Sequence, residues 1–210
     1  LKNNKQFLLS ASPERYLKKE GERLISQPIK GTAQRFLDAV EDEKSKNQLA
    51  SDPKERAENI MITDLVRNDL SRTAQQNSVQ VEELCAVYSF LQVHQMISTI
   101  TSKLDLQYSV IEVIKNSFPM GSMTGAPKVS AMKISEELEE TKRGLYSGAV
   151  GYFTPTADFD FNVVIRSILY NQENKYVSFS VGSAITAQSV PEKEYEECIL
   201  KAKAMSEVLS

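Results

Sequence analysis

Three acidic side chains raise the first chemical question. Glu194, Glu197 and Lys201 lie three and four residues apart near the end of the chain, so a helix there carries all three on one side. Taken alone, they read as a solvated face with a Glu–Lys pair. The preceding stretch, Val181-Gly182-Ser183-Ala184-Ile185, is small enough to let a ligand approach its backbone. A third acid, Glu58, sits in the run Ala57 to Asp69, where Glu58, Asp64 and Asn68 lie close to an otherwise apolar helix face. Buried carboxylates are costly unless paired or metal-bound. An Arg67–Asp pair or the helix dipole explains this cluster as well as a metal does. Any metal here is a hard one. His94 is the only histidine, and Cys85 and Cys198 form no CxxC, which leaves carboxylates and water as ligands for Mg²⁺ or Mn²⁺.

Two further segments invite an anion. Gly121-Ser122-Met123-Thr124-Gly125 precedes a helix expected to begin at Ala126-Pro127, where free N–H groups and the positive helix end form a weak cradle. It lacks the Gly-Lys-Ser/Thr ending of a phosphate-binding loop. Arg166 lies in the apolar run Phe161-Asn-Val-Val-Ile-Arg, and an arginine inside a strand needs an anionic partner, structural or ligand. His94 alternates with apolar neighbours and by itself reads as a satisfied core histidine. No Gly-x-Ser-x-Gly elbow supports a serine nucleophile.

The chain that must position these groups has 210 residues, 41% apolar and 25% charged, enough for one globular domain. A net charge of -3 argues against a nucleic-acid domain. No run is long and apolar enough to span a bilayer, and the start carries no signal-peptide core. Sparse cysteines suit a reducing, cytoplasmic setting. Strands are expected at Phe7–Ser12, Glu22–Ile29, Val79–Val81, Val87–Ile100, Gly148–Thr154, Phe161–Tyr170 and Tyr176–Val181. Residues 41–51 are polar and read as a loop or frayed helix. Asp52-Pro53-Lys54-Glu55 opens a helix, with Asp52 as N-cap. Further helices are expected over Ser109–Phe118, up to about Glu140, and from a capping box at Ser189-Val-Pro-Glu192 to the chain end. Strand pairs and single helices alternate without a βαβ beat, so the expected class is α+β.

Six segments, taken in order, resemble the chorismate-utilising enzymes. They are Ser12-Pro-Glu-Arg15, Pro28-Ile-Lys-Gly-Thr32, Ala57 to Leu70, Phe118 to Lys128, Asp160 to Arg166, and Glu194-Tyr-Glu-Glu197. The resemblance covers nearly the whole chain. Anthranilate synthases carry Pro-Ile-Ala-Gly-Thr in the second segment, whereas Lys30 here is the form of aminodeoxychorismate synthase component I. Without the other segments, Lys30 would read as an exposed turn lysine. Two departures stand out: Gly182-Ser183-Ala184 with Gln188-Ser189 replaces a glycine run followed by Asp-Ser, and Ser122 stands where threonine is common.

The resemblance implies antiparallel sheets in a β-sandwich core with helices outside. It implies a chorismate-binding catalytic domain over 1–210 that lacks its first strands. The implied activity is amination of chorismate to 4-amino-4-deoxychorismate, toward para-aminobenzoate and folate. Ammonia would come from a glutamine amidotransferase subunit. The alternatives are anthranilate or isochorismate/salicylate chemistry, or an inactive fragment. Lys30 would be the nucleophile, Glu14 the general acid for the 4-hydroxyl, and His94 would lie at the ring edge. Glu58, Glu194 and Glu197 would hold Mg²⁺. Substrate contacts would come from Thr32, Ser122, Thr124, Gly125, Tyr152, Arg166, Gly182, Ser183, Ala184 and Lys201.

Overall fold

The computed structural model describes residues 1–187 and 189–210 and divides into two compact units. The larger comprises Glu14–Glu140 and Gly151–Asn162; the smaller comprises Leu1–Pro13, Thr141–Val150 and Val163–Ser210. Every strand pair with a defined register is antiparallel, and single helices intervene, so the class is α+β as expected.

The larger unit is organised around β7 (Val93–Lys103), which is buried along most of its length. One edge of β7 takes two consecutive strands. β4 (Arg23–Gln27) pairs with residues 100–103, and β5 (Ile29–Gln34) pairs with residues 93–97. Pro28 separates them, because proline has no N–H for the ladder. Its carbonyl instead accepts from Ser98 N at 3.3 Å. The other edge of β7 takes β6 (Gln80–Ser89). β3 (Arg15–Glu20) pairs with β4 and with β9 (Phe159–Val163), and β8 (Ala149–Phe153) follows β9. Two helices, α1 (Ala39–Ser51) and α2 (Pro53–Ser71), lie against β5, β6 and β7. Leu17, Leu24, Leu70, Met96, Ile100, Val113 and Phe159 form its buried centre. At about 25 cal/mol per Å² of apolar surface, such side chains dominate the drive to fold.

Asp52 caps α2 as expected, accepting from the Lys54 and Glu55 amides, with Pro53 in the first turn. Residues 41–51 are a regular helix, not a loop. Asp38 caps it by accepting from Val40 N and Glu41 N, and among its residues Leu49 is the buried anchor. Its polar surface gave the sequence no periodicity to read. The run Val87–Ile100 is two strands. Phe90 N donates to Val93 O at 2.8 Å, turning the chain through Phe90-Leu91-Gln92, which has none of the usual turn residues. α3 (Val110–Ser117) carries the capping box of Ser109 and Glu112, and α4 (Lys128–Leu138) begins two residues later than expected.

In the smaller unit, β1 (Lys2–Asn3), β2 (Gln6–Ser10), β10 (Ser167–Asn171) and β11 (Tyr176–Phe179) form a sheet in the order β1-β2-β10-β11. The expected strand Phe161–Tyr170 is broken. Ile165 N bonds back to Val163 O at 3.0 Å, and Arg166 takes a left-handed φ of 48°. A β-branched run gave no sign of this turn. α5 (Pro191–Leu209) closes the chain. Its cap is Val190 without a side-chain bond, not the expected Ser189 box. The Ser189 hydroxyl accepts from Thr186 N at 3.0 Å and donates to Ala184 O at 3.3 Å.

Candidate active site

Lys30 stands in a bulge. Ile29 pairs with Ile97 and Thr32 with Gln95, so three steps along β5 match two along β7. Gly31 takes up the extra residue at φ 94°, and a Cβ there would meet Leu49, Glu55 and Met96 at 3.1 to 3.2 Å. Bulges of this kind re-aim a side chain out of the sheet's alternation. Lys30 is half-buried, and among the described residues its ammonium has no hydrogen bond or ion pair. Lys30 is therefore not the exposed turn lysine it would be without the other segments, but a residue of a bulged strand. Thr32 follows on the same strand, exposed.

Glu14, expected as an acid, is 5% exposed and begins the larger unit beside β3. It lines a cavity of about 20 Å³ with Tyr16, Ser26, Asp69, Ser117, Gly121 and Ser122, room for about one water. Burial pushes the Tyr16 hydroxyl up to about 12 and also raises the Asp69 carboxyl. Lys128 opposes the shift at Asp69. Its Nζ donates to Asp69 Oδ2 at 2.5 Å and to Pro119 O at 2.7 Å, tying the 121–125 loop to α2. In that loop, Met123 N and Thr124 N are spent on Met120 O and Gly121 O, and the Thr124 hydroxyl on the same two carbonyls. Ser122 and Gly125 are half-buried beside it.

His94 points to the helix side of β7. Ser89 Oγ lies 2.9 Å from Nδ1, and Asp42 Oδ1 lies 3.1 Å from Nε2. Asp42 also accepts from Arg35 Nε at 2.8 Å and from Phe36 N at 2.9 Å. Both ring nitrogens are thus engaged, Nδ1 to β6 within the sheet and Nε2 to α1, which it fastens to the sheet. Strand alternation sends the next side chain, Gln95, to the other face, level with Thr32. Sequence reading passed over Gln95. The period of two counted from Met96, which packs with Leu49 and Cys85, was the signal available.

The Arg35 guanidinium, then the Phe36 amide and His94, hold the Asp42 carboxyl well below the ordinary carboxylate range. A depressed folded value adds stability above the unfolded value near 3.8, and that stability is lost as pH falls through the folded value. Thermal melts from pH 7 down to about pH 2 are therefore expected to show a decline, beginning at about pH 4 to 5, that Asp42→Asn flattens. Parallel profiles for the two proteins would contradict the linkage.

Glu58 projects from α2 with its side chain 15% exposed and Lys54 Nζ 3.9 Å away. Arg67 pairs with Asp64 at 3.0 Å, so that neighbouring polar cluster has a structural explanation. Tyr152 is exposed on β8.

In the smaller unit, Gly182, Ser183, Glu194, Glu197 and Lys201 meet. Ser183 Oγ lies within hydrogen-bond reach of Glu194 Oε2, and 2.9 Å from Glu197 Oε2. Lys201 Nζ lies 2.5 Å from Glu197 Oε1 and donates to Gly182 O at 3.0 Å. A Cβ on Gly182 would come 2.7 Å from the Tyr146 hydroxyl, so this backbone admits no side chain as it stands. One hydroxyl proton serves two carboxylates. An all-oxygen pair with this charge fits a hard divalent cation. Within either unit, the described residues gather no three His, Cys, Asp or Glu side chains into a metal cluster. Glu58 belongs to the larger unit, and Glu194 and Glu197 to the smaller. Ala184 continues the small stretch, half-buried, and Gln188 lies outside the described residues. Arg166 is half-buried in the turn between β9 and β10, not inside a strand. Among the described residues its guanidinium has no partner.

The sequence profile of the chorismate binding enzyme family matches residues 1–207. The chain belongs to that family. It is 46% identical over 198 residues to an aminodeoxychorismate synthase, chloroplastic, of Arabidopsis thaliana, covering 94% of this chain and 21% of that protein. It is 40% identical over 202 residues to anthranilate synthase component 1 of Aquifex aeolicus, covering 96% of this chain and 40% of that protein. The crystal structure of anthranilate synthase component I from Streptococcus pneumoniae superposes with a TM-score of 0.84 at 33% identity, covering 96% of this chain and 44% of that one. The chain therefore spans less than half the length of these relatives. As a chorismate-binding family member, it carries the family's antiparallel α+β fold. No helix is long and apolar enough to cross a membrane among the described residues.

Proposed function

We propose that this chain is the catalytic portion of an enzyme that replaces the 4-hydroxyl of chorismate with an amino group, giving 4-amino-4-deoxychorismate on the route to para-aminobenzoate and folate. The observation that carries the reading is Lys30, half-buried in a bulge with an ammonium that no neighbour ties down. Similarity to an aminodeoxychorismate synthase supports it. The Lys30 amine adds at ring carbon 2 while the allylic double bond shifts and the 4-hydroxyl leaves. Buried Glu14 donates the proton that makes the leaving group water. Ammonia then adds at carbon 4, the double bonds shift back, and the lysine is released, so the balance is ammonia in and water out. A glutamine amidotransferase subunit supplies the ammonia. Free Cys85 and Cys198 agree with a reducing, cytoplasmic setting.

Glu58, Glu194 and Glu197 would hold Mg²⁺, which offsets the charge of the ring carboxylate when bound. Lys201, Arg166, Tyr152 and the backbone at Gly182 to Ala184 hold the enolpyruvyl carboxylate. Thr32, Ser122, Thr124 and Gly125 contact the remainder of the substrate, and His94, expected at the ring edge, acts through α1, which it holds to β7 by its bond to Asp42.

Arg166→Ala is expected to weaken chorismate binding by about 2 kcal/mol, roughly thirtyfold, the low end for truncating a buried charge pair because Arg166 is half-buried. Arg166→Lys is a partial rescue, since lysine lacks the fork. Titration calorimetry checks it; normal chorismate affinity with an equal fall in Tm for both variants would make this arginine structural. The 40% identity to an anthranilate synthase component 1 supports amination at carbon 2 as the second reading, and Lys30 speaks against it. Chromatographic product analysis with chorismate, Mg²⁺ and ammonium decides: aminodeoxychorismate supports the proposal, and anthranilate, isochorismate, salicylate or no product overturns it.

A further inference from the structure

The bulge at Lys30 faces a second one across β7. Glu83 pairs with Thr99 and Ala86 with Ile97, so β6 carries an extra residue around Leu84–Cys85, where Cys85 takes a φ of 55°. One side chain from α2 serves both irregularities. Asn59 is 1% exposed, and its Nδ2 donates to Lys30 O at 3.3 Å and to Met96 O at 3.2 Å. Its Oδ1 accepts from the Ser98 hydroxyl and lies 3.7 Å from Cys85 Sγ. Ser98 Oγ in turn accepts from Cys85 N at 2.9 Å. The orientation of the amide follows from its partners. Two carbonyls need a donor, and a hydroxyl whose lone pair is engaged by an N–H needs an acceptor. Every polar group of the amide is used.

We infer that Asn59 is a positioning residue for Lys30: from α2 it holds the carbonyl of the bulge, and so fixes where the Lys30 amine projects. A regular, apolar pairing at this level would have needed no buried amide, and a buried polar group is tolerated only when fully satisfied. The neighbouring residue on α2 is Glu58, so one helix sets both the amine and a carboxylate proposed for the metal. The inference rests on the proposed role of Lys30 and adds to it what orients that lysine.

The test uses Asn59→Ala and, as a milder disturbance that leaves the amide in place, Ser98→Ala. Each is assayed for ammonium-dependent amination, for Tm, and for acetylation of Lys30 by limiting acetic anhydride read by peptide mass spectrometry. Asn59→Ala is expected to lower kcat about tenfold to a hundredfold, the scale of a misplaced reacting group, with KM for chorismate little changed. Lys30 acetylation should change relative to the other lysines, and Ser98→Ala should move both readouts the same way by less. In a Lys30→Ala background, Asn59→Ala should have no further effect on the residual rate. Unchanged kcat and Lys30 labelling in the folded variants, with only Tm lowered, would overturn the inference while leaving Lys30 as nucleophile. Indifference of the wild-type rate to Lys30→Ala would instead overturn the proposed function, and this inference with it.

Discussion

Replacing Lys30 by alanine is expected to lower formation of 4-amino-4-deoxychorismate by about two orders of magnitude or more, the scale of losing one group that acts on the reacting atoms. Fold and Tm should change little. The Lys30 ammonium holds no ion pair among the described residues, and the bulge is fixed through its backbone by Gly31 and by the Asn59 bond to its carbonyl. The variant also reads Pro28-Ile-Ala-Gly-Thr32, the form found in anthranilate synthases. With carbon 2 no longer taken by the lysine, ammonia can add there directly, so some amination at carbon 2 is expected. Product analysis of wild type and Lys30→Ala side by side, with chorismate, Mg²⁺ and ammonium, gives both numbers. Full 4-amination by the variant would make Lys30 a bystander.

Glu58→Gln and Glu197→Gln are each expected to weaken Mg²⁺ binding by about tenfold to a hundredfold or more, the range measured when even an outer partner of a metal ligand is lost. Glutamine keeps the shape and removes the charge. At position 197 it also loosens Lys201, which lies 2.5 Å from Glu197 Oε1 and holds Gly182 O at 3.0 Å. Glu197→Gln should therefore reduce chorismate affinity beyond its effect on the metal, whereas Glu58→Gln should act through the metal alone. Calorimetric titration of Mg²⁺ with and without chorismate separates the two effects. Unchanged Mg²⁺ binding in both variants would remove these carboxylates from the site.

Much of this arrangement was legible from local chemistry. Asp52-Pro53 carried its own cap, because that signal lies within four residues, whereas the box read at Ser189 did not form and the one at Ser109 and Glu112 was not read. The Glu194–Glu197–Lys201 spacing correctly placed those side chains on one side of a helix, and the small residues before them proved to be their partners. What could not be read depends on tertiary partners. The bulge at Lys30 sets Gly31 against Leu49 and Met96, residues 18 and 65 positions away in the chain, which a Cβ there would crowd. The helix over Ala39–Ser51 is anchored by Leu49 and by Asp42, whose partners are Arg35, just past the end of β5, and His94 on β7. The turn ending at Arg166 begins in Val163-Val164-Ile165, a run whose intrinsic preference is extended. His94 shows the remaining difficulty. By itself it reads as a core histidine, and strand parity does turn it toward α1 and give Gln95 the face shared with Thr32; its place at the ring edge came from the resemblance alone.

The central claim is that chorismate becomes bonded to Lys30 before ammonia arrives. The direct measurement is the intact mass of the enzyme incubated with chorismate and Mg²⁺ in the absence of ammonia, followed by peptide mapping. The expected result is a mass increase equal to chorismate less one water, located on the peptide that contains Lys30 and missing from Lys30→Ala. No mass increase in wild type, together with undiminished aminodeoxychorismate output from Lys30→Ala, would contradict it.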